Sequence, residues 1–135
     1  MGRPGVSKVE RRYEFILRGR FLQANHRSVY EPRDANPKGE VHEEIGLFSY
    51  DRSRKGFRFR QFQVEGFVNQ YAVDVSADGK TIVATSEAIE NIPPGWRARE
   101  TWKILSGDEF EEVFELAEPG GEYAVYVTNK FKRKR

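Results

Sequence analysis

Apolar and polar residues alternate with a period of two along almost the whole chain, and turn-forming residues break the alternation roughly every ten residues. No segment carries the 3.6-residue periodicity of an amphipathic helix, so nothing supplies a helical layer to cover a sheet. The alternation predicts nine strands, over residues 7–18, 21–30, 40–50, 57–65, 67–75, 80–88, 96–105, 109–116 and 122–132. Between them lie Gly19-Arg20, the breaker-rich stretch 31–39, the charged stretch 51–56, Gly66 and Ala77-Asp78-Gly79. Ile92-Pro93-Pro94-Gly95, Ser106-Gly107-Asp108 and Pro119-Gly120-Gly121 separate the last three strands. Short connections make sequential strands antiparallel neighbours, and a long meander without helices must close on itself or expose its edges. The expected fold is therefore all-β, an up-and-down antiparallel barrel of nine to ten strands, wide enough to hold one small ligand.

Composition narrows the function. The 135 residues suit a single barrel domain, with residues 1–6 as a flexible lead and 133–135 as a basic tail. With 23 Lys+Arg against 21 Asp+Glu the net charge is only +2, which disfavours nucleic acid as a partner. Arg58 and Arg60 interleaved with Phe57, Phe59 and Phe62, and the basic residues from Lys130 to Arg135, are the features that would argue otherwise. The acidic stretch 108–122 is expected to neighbour the last strand and offset that tail. Cysteine is absent, which excludes disulfides, thiolate metal sites and a cysteine nucleophile. No run has the length of a membrane helix and no signal peptide opens the chain, so a cytoplasmic protein is expected. Ten Phe, six Tyr and two Trp argue against disorder.

The strand faces mix polar groups with apolar ones. Val9, Tyr13, Phe15 and Leu17 share a face of the first strand, and Leu22, Ala24, His26, Ser28 and Tyr30 share one of the second. On the third, His42, Glu44, Gly46, Phe48 and Tyr50 oppose Val41, Ile45 and Leu47, and the pattern does not choose between them. On the fourth the apolar residues change parity, from Phe57 and Phe59 to Phe62 and Val64, which suggests a bulge or a strand shared between two environments. The seventh aligns Trp96, Ala98, Glu100, Trp102 and Ile104, placing a carboxylate between two tryptophans. A buried charge needs a partner. One economical scheme pairs Arg60 with Glu87 or Glu100 beside His42 and Tyr71. The ligand-binding set expected in the lumen is thus His42, Glu44, Tyr50, Arg60, Phe62, Tyr71, Glu87, Trp96, Glu100 and Trp102, with no catalytic or metal-binding residues assigned.

Val9 through Leu22, Gly39 through Asp51 and Lys130 through Lys134 resemble the calycin-like superfamily, in its fatty-acid-binding-protein-like and nitrobindin-type branch. Within it, Gln61 to Tyr71 and Ser86 to Thr101 look like small bacterial members of unassigned function. The resemblance covers nearly the whole chain and implies a lipocalin-like barrel, with His42, Glu44 and Gly46 matching the family's His-x-Glu-x-Gly strand. Two departures stand out. The Gly-x-Trp-x-Gly opening strand of the family is missing, which implies either a truncated start or a nine-stranded barrel with an exposed seam. The last strand also lacks the histidine that ligates haem in nitrobindins, so the resemblance does not carry haem over.

The function expected from these features is non-catalytic binding of a small hydrophobic or amphipathic molecule, including one with an acidic head held by Arg60. Three alternatives accompany it: an isomerase- or cyclase-type enzyme using a lumen carboxylate, haem held through His26 or His42, and a module that oligomerises through an open strand edge. Either a monomer or a homodimer is compatible with the pattern. The loop at 31–39 is the expected lid or portal.

Overall fold

The computed structural model describes residues 7–32 and 37–134. The expected N-terminal lead and the centre of the expected lid, residues 33–36, lie outside the described residues. Among the described residues there are nine strands: β1 (Ser7–Ile16), β2 (Phe21–Tyr30), β3 (Glu40–Asp51), β4 (Gly56–Gln63), β5 (Val68–Val75), β6 (Thr81–Glu90), β7 (Arg97–Ile104), β8 (Glu109–Ala117) and β9 (Ala124–Lys132). Every strand end lies within two residues of the span read from the sequence. β1 stops short of Arg18 because Leu17 and Arg18 both turn left-handed, with φ of 50° and 61°. The Asp78-Gly79 hairpin forms as expected: Gly79 takes φ 73°, and the Asp78 carboxylate accepts from the Lys80 amide at 2.9 Å.

All nine strands form one antiparallel up-and-down sheet in sequence order, with no helix among the described residues. The sheet curls into a half-barrel. Among the described residues β1 and β9 share no backbone ladder, so closure is left to side chains. The Arg11 guanidinium lies 4.6 Å from the centre of the Phe131 ring and reaches Glu112 on β8, while Tyr13 meets Phe110 edge-on at 6.1 Å.

Register defines the inner face as a set of cross-strand rows. Phe15, Leu22, Phe48, Phe59 and Tyr71 are successive partners across β1 to β5. The aromatic rings of that row stack, Phe48 on Phe59 at 4.3 Å and Phe59 on Tyr71 at 5.7 Å, each pair adding about 0.5–1.5 kcal/mol beyond its burial. Trp102 closes the stack edge-on from β7, 5.6 Å from Phe59. Gly46 makes this possible: a Cβ there would sit 2.4 Å from the Phe59 ring.

Of the two readings of the parity change in β4, the bulge is absent and the strand instead carries aromatic residues on both faces. β4 pairs without a shift on both sides, putting Phe57, Phe59 and Gln61 inward and Arg58, Arg60 and Phe62 outward. The register breaks instead at β5–β6, where Tyr71 pairs with Ser86 after Gln70 pairs with Ala88, so Glu87 is the extra residue. A second break follows Phe114 on β8.

Candidate functional site

The curl gathers polar side chains on the inner face into one row. Arg11, His26, Glu44 and Gln63 are consecutive partners across β1 to β4, and the next row contributes Gln61 and Asn69. Glu100 and Glu112 complete the cluster from β7 and β8. Arg11 and Glu112 form a two-pronged ion pair with both side chains only 7% exposed. Arg11 also donates to His26 Nδ1 at 3.0 Å and to the Tyr13 hydroxyl at 3.0 Å. All three nitrogens of the guanidinium are therefore engaged.

A second chain of hydrogen bonds crosses the floor. Asn69 Nδ2 donates to the Tyr71 hydroxyl at 2.8 Å, Tyr71 donates to Gln61 Oε1 at 3.1 Å, and Gln61 Nε2 donates to Glu44 at 2.6 Å and Glu100 at 3.1 Å. Glu44 continues to His42 at 2.6 Å, and the other ring nitrogen of His42 meets Glu65 at 2.7 Å near the rim.

The electrostatics follow from these partners. Hydrogen bonding to Glu44, against the cost of burial and with help from Glu65, raises the His42 pKa to about 9, so its ring is an imidazolium donating from both nitrogens. Burial and the adjacent Arg11 charge push His26 down to about 4, which fits a neutral ring accepting at Nδ1. Burial pushes the Glu44 carboxyl up, but the hydrogen bond from His42 and the nearby positive charges outweigh it and hold Glu44 below its ordinary range. Glu100 goes the other way: complete burial, then the charges of Glu112 and Glu44, hold it well above the carboxylate range and therefore neutral. The floor is thus charge-matched, Arg11 with Glu112 and His42 with Glu44.

Above this floor opens an apolar cup of about 940 Å³, at the end of the half-barrel that carries the β1–β2 and β3–β4 turns. Leu22, Phe48, Val73, Ile82, Trp102 and Phe110 line its depth. Phe15 and Tyr50 stand at its mouth with 72% and 52% of their surface exposed. Tyr13, Phe48 and Trp102 border both the cup and a void of about 10 Å³ within the polar cluster, one water molecule in size. A wider cleft of about 1450 Å³ runs along the open side, bounded by residues 8–13 of β1 and residues 130–134, the end of β9 and the two residues after it.

The expected site residues separate accordingly. His42, Glu44, Tyr71 and Glu100 meet in the polar cluster, while Trp102 and Tyr50 border the cup. Trp96 sits half-buried just before β7 and does not border the void that Glu100 shares with Trp102. The pairing of Arg60 with Glu87 or Glu100 does not form. Arg60 is exposed on the outer face, and Glu87 is turned out by its bulge to meet Arg54 at 2.5 Å and Arg58 at 3.4 Å. Phe62 shares the outer face with Arg60 and is 43% exposed, so the regular register of β4 removes both from the lumen. The same register turns Phe57 and Phe59 inward, so of the three phenylalanines of β4 only Phe62 shares a face with Arg58 and Arg60. Tail charges are also offset as expected, with Arg133 on Asp108 at 3.1 Å and Lys130 on Glu109 at 3.7 Å.

The lumen guanidinium is Arg11, which the sequence reading passed over, together with Glu112, Gln61, Asn69 and His26 as an ion-pair or hydrogen-bond partner. A signal was present: Arg11 is in phase with Val9, Tyr13 and Phe15, and Glu112 with Phe110 and Phe114. A charge within an apolar face demands a partner on another strand. Both nitrogens of His42 are taken by carboxylates, and only Nε2 of His26 is left without a partner among those described. Among the described residues no three His, Asp or Glu side chains converge as a metal-binding group, and no helix is long and apolar enough to cross a membrane.

No protein-family model matches the chain, and no curated protein matches it.

Proposed function

We propose that the protein binds a small, largely apolar molecule in the cup, without catalysis. The observation that carries this reading is the exposure of large apolar side chains at one place. Phe15, Tyr50, Phe57 and Val75 all border the cup and all stand open to solvent. Such a patch at the mouth of a concave, aromatic-lined space is what a hydrophobic ligand covers. The volume of the cup suits a single molecule of drug-like or lipid-like size. The calycin-like resemblance, the up-and-down topology and the barrel-like curl support the same reading, and the lack of cysteine suits a cytoplasmic binder.

Titration with the neutral fluorophore N-phenyl-1-naphthylamine tests it. Saturable fluorescence enhancement is expected, weakened at least tenfold by Phe15→Glu and by Tyr50→Glu. Both positions are exposed, so the variants keep their fold. An absence of saturable enhancement would remove the reading.

One observation favours a second reading, an edge-to-edge homodimer. Among the described residues β1 is paired only with β2. Its outward residues alternate in charge as Lys8, Glu10, Arg12 and Glu14. An antiparallel self-pairing centred on Arg11 would set Lys8 opposite Glu14 and Glu10 opposite Arg12. Sedimentation at high protein concentration decides this, since a lone monomer excludes it.

A further inference from the structure

The cup and its floor together specify the polarity of the occupant. We propose that the cup takes a neutral, mostly apolar molecule carrying a carbonyl-type acceptor oxygen, which receives hydrogen bonds from the Tyr13 hydroxyl and the Trp102 indole N–H. The proposal rests on the cup being a ligand site and says what kind of ligand it holds.

Three observations carry it. The first is a shortage of acceptors. Trp102 Nε1 is buried without a hydrogen-bond partner. The Tyr13 hydroxyl accepts from Arg11, and among the described residues no acceptor takes its own hydrogen. Both side chains border the cup and the void beneath it, between the apolar and polar compartments. Trp102 is the buried donor of the two, Tyr13 being 37% exposed; a buried donor with no acceptor is costly, and an acceptor oxygen supplied from the cup would relieve it.

The second observation is the commitment of the cations on the inner face; Arg58, also buried, lies on the outer face against Glu87. The three nitrogens of Arg11 are spent on Glu112, His26 and Tyr13, and His42 is spent on Glu44 and Glu65. None is left for a carboxylate or phosphate head. The floor's two carboxylates, Glu44 and Glu112, are each matched by one of these cations, so the floor offers a second anion no net positive charge. A cationic head fares no better, because Glu112 and Glu44 are already matched and Glu100 is surrounded by Gln61, Trp102 and Phe59 in a void of one water's size.

The third is the nature of the lining. Among the described residues only Arg20 and Arg52 bring positive charge to the cup, and both are exposed in turns at its mouth. An anionic ligand would therefore have to bind with its head outward and its chain inward, leaving the floor donors unmet. A neutral ligand with its oxygen inward serves both the donors and the apolar wall.

Competition against bound N-phenyl-1-naphthylamine by 2-undecanone, undecanoate and undecylamine tests the inference. The ketone is expected to displace the dye at concentrations at least tenfold below either charged chain. Tyr13→Phe and Trp102→Phe should each weaken the ketone roughly threefold to tenfold more than they change the affinity for the dye, the loss of one hydrogen bond that the dye does not make. Tyr13 is partly exposed, so its variant is informative even if Trp102→Phe fails to fold. Preferential displacement by undecanoate, weakened by Arg52→Gln, would overturn the neutral-head proposal while leaving lumen binding intact. Preference for the amine would do the same, as would a ketone affinity indifferent to Tyr13→Phe. Failure of the dye itself to bind would overturn the cup reading instead.

Discussion

The Arg11 guanidinium grips the Glu112 carboxylate across the open side of the sheet, joining β1 to β8, two strands that are not neighbours in the sheet order. The pair does by side chain what a β1–β9 ladder would do by backbone. Its two side chains are almost wholly buried, so each charge depends on the other. Arg11→Met is expected to destabilise the fold by about 3–5 kcal/mol, because it strands a buried carboxylate. Arg11→Met with Glu112→Leu should recover most of the loss. Urea unfolding of the two single variants and the double variant measures the coupling, and strict additivity would mean that the pair does not hold the seam.

The two histidines make stability fall on both sides of a maximum. The folded pKa of His42 is raised from 6.5 to about 9, so its contribution is complete below pH 6.5 and is lost as pH rises toward 9. The folded pKa of His26 is lowered from 6.5 to about 4, so the unfolded chain takes up a proton that the folded one refuses, and stability is lost as pH falls from 6.5 toward 4. From these two groups the melting temperature should peak near pH 6.5. His42→Gln should flatten the alkaline limb and His26→Gln the acid limb. A melting temperature that is level between pH 6.5 and 9 would contradict the imidazolium assigned to His42.

Glu100 supplies an independent check on the polar floor. Its folded pKa is raised, so its contribution to stability is present at low pH and is lost as pH climbs above the ordinary carboxyl value of 4.5. Glutamine has the shape of the neutral acid and no proton to lose. Glu100→Gln should therefore gain on the wild type as pH increases from 5 to 8. Chemical denaturation across that range reads the difference, and NMR of the side-chain carboxyl reads the cause. Titration of Glu100 like a free surface carboxylate would refute it.

Gly46 tests the aromatic stack. A methyl group there meets Phe59, which is held between Phe48 and Tyr71 and has nowhere to go. Gly46→Ala should cost about 1–3 kcal/mol, the usual penalty for overpacking. Combining it with Phe59→Leu should cost less than the sum of the two single changes. A neutral Gly46→Ala would show that the ring has more freedom than its contacts allow.

The sequence alone determined the strands, their antiparallel order and four members of the polar cluster, His42, Glu44, Tyr71 and Glu100. Period-two alternation and turn chemistry are local, so Asp78-Gly79 and Pro93-Pro94-Gly95 announce themselves wherever the chain goes. The phase of Glu100 and Trp102 on one face of β7 was equally legible, because alternation there is unbroken. What the tertiary structure decided was which face turns inward and which charges meet. Arg60 and Arg11 are both arginines beside aromatic residues, yet one faces water and the other is buried against Glu112, a residue 101 positions away. That choice was made by the close packing of Phe59 over Gly46, which sets the phase of β4, and by the bulge that expels Glu87. Neither is a property of a single strand: the first needs two strands in register, and the second a third strand that is one residue out of step.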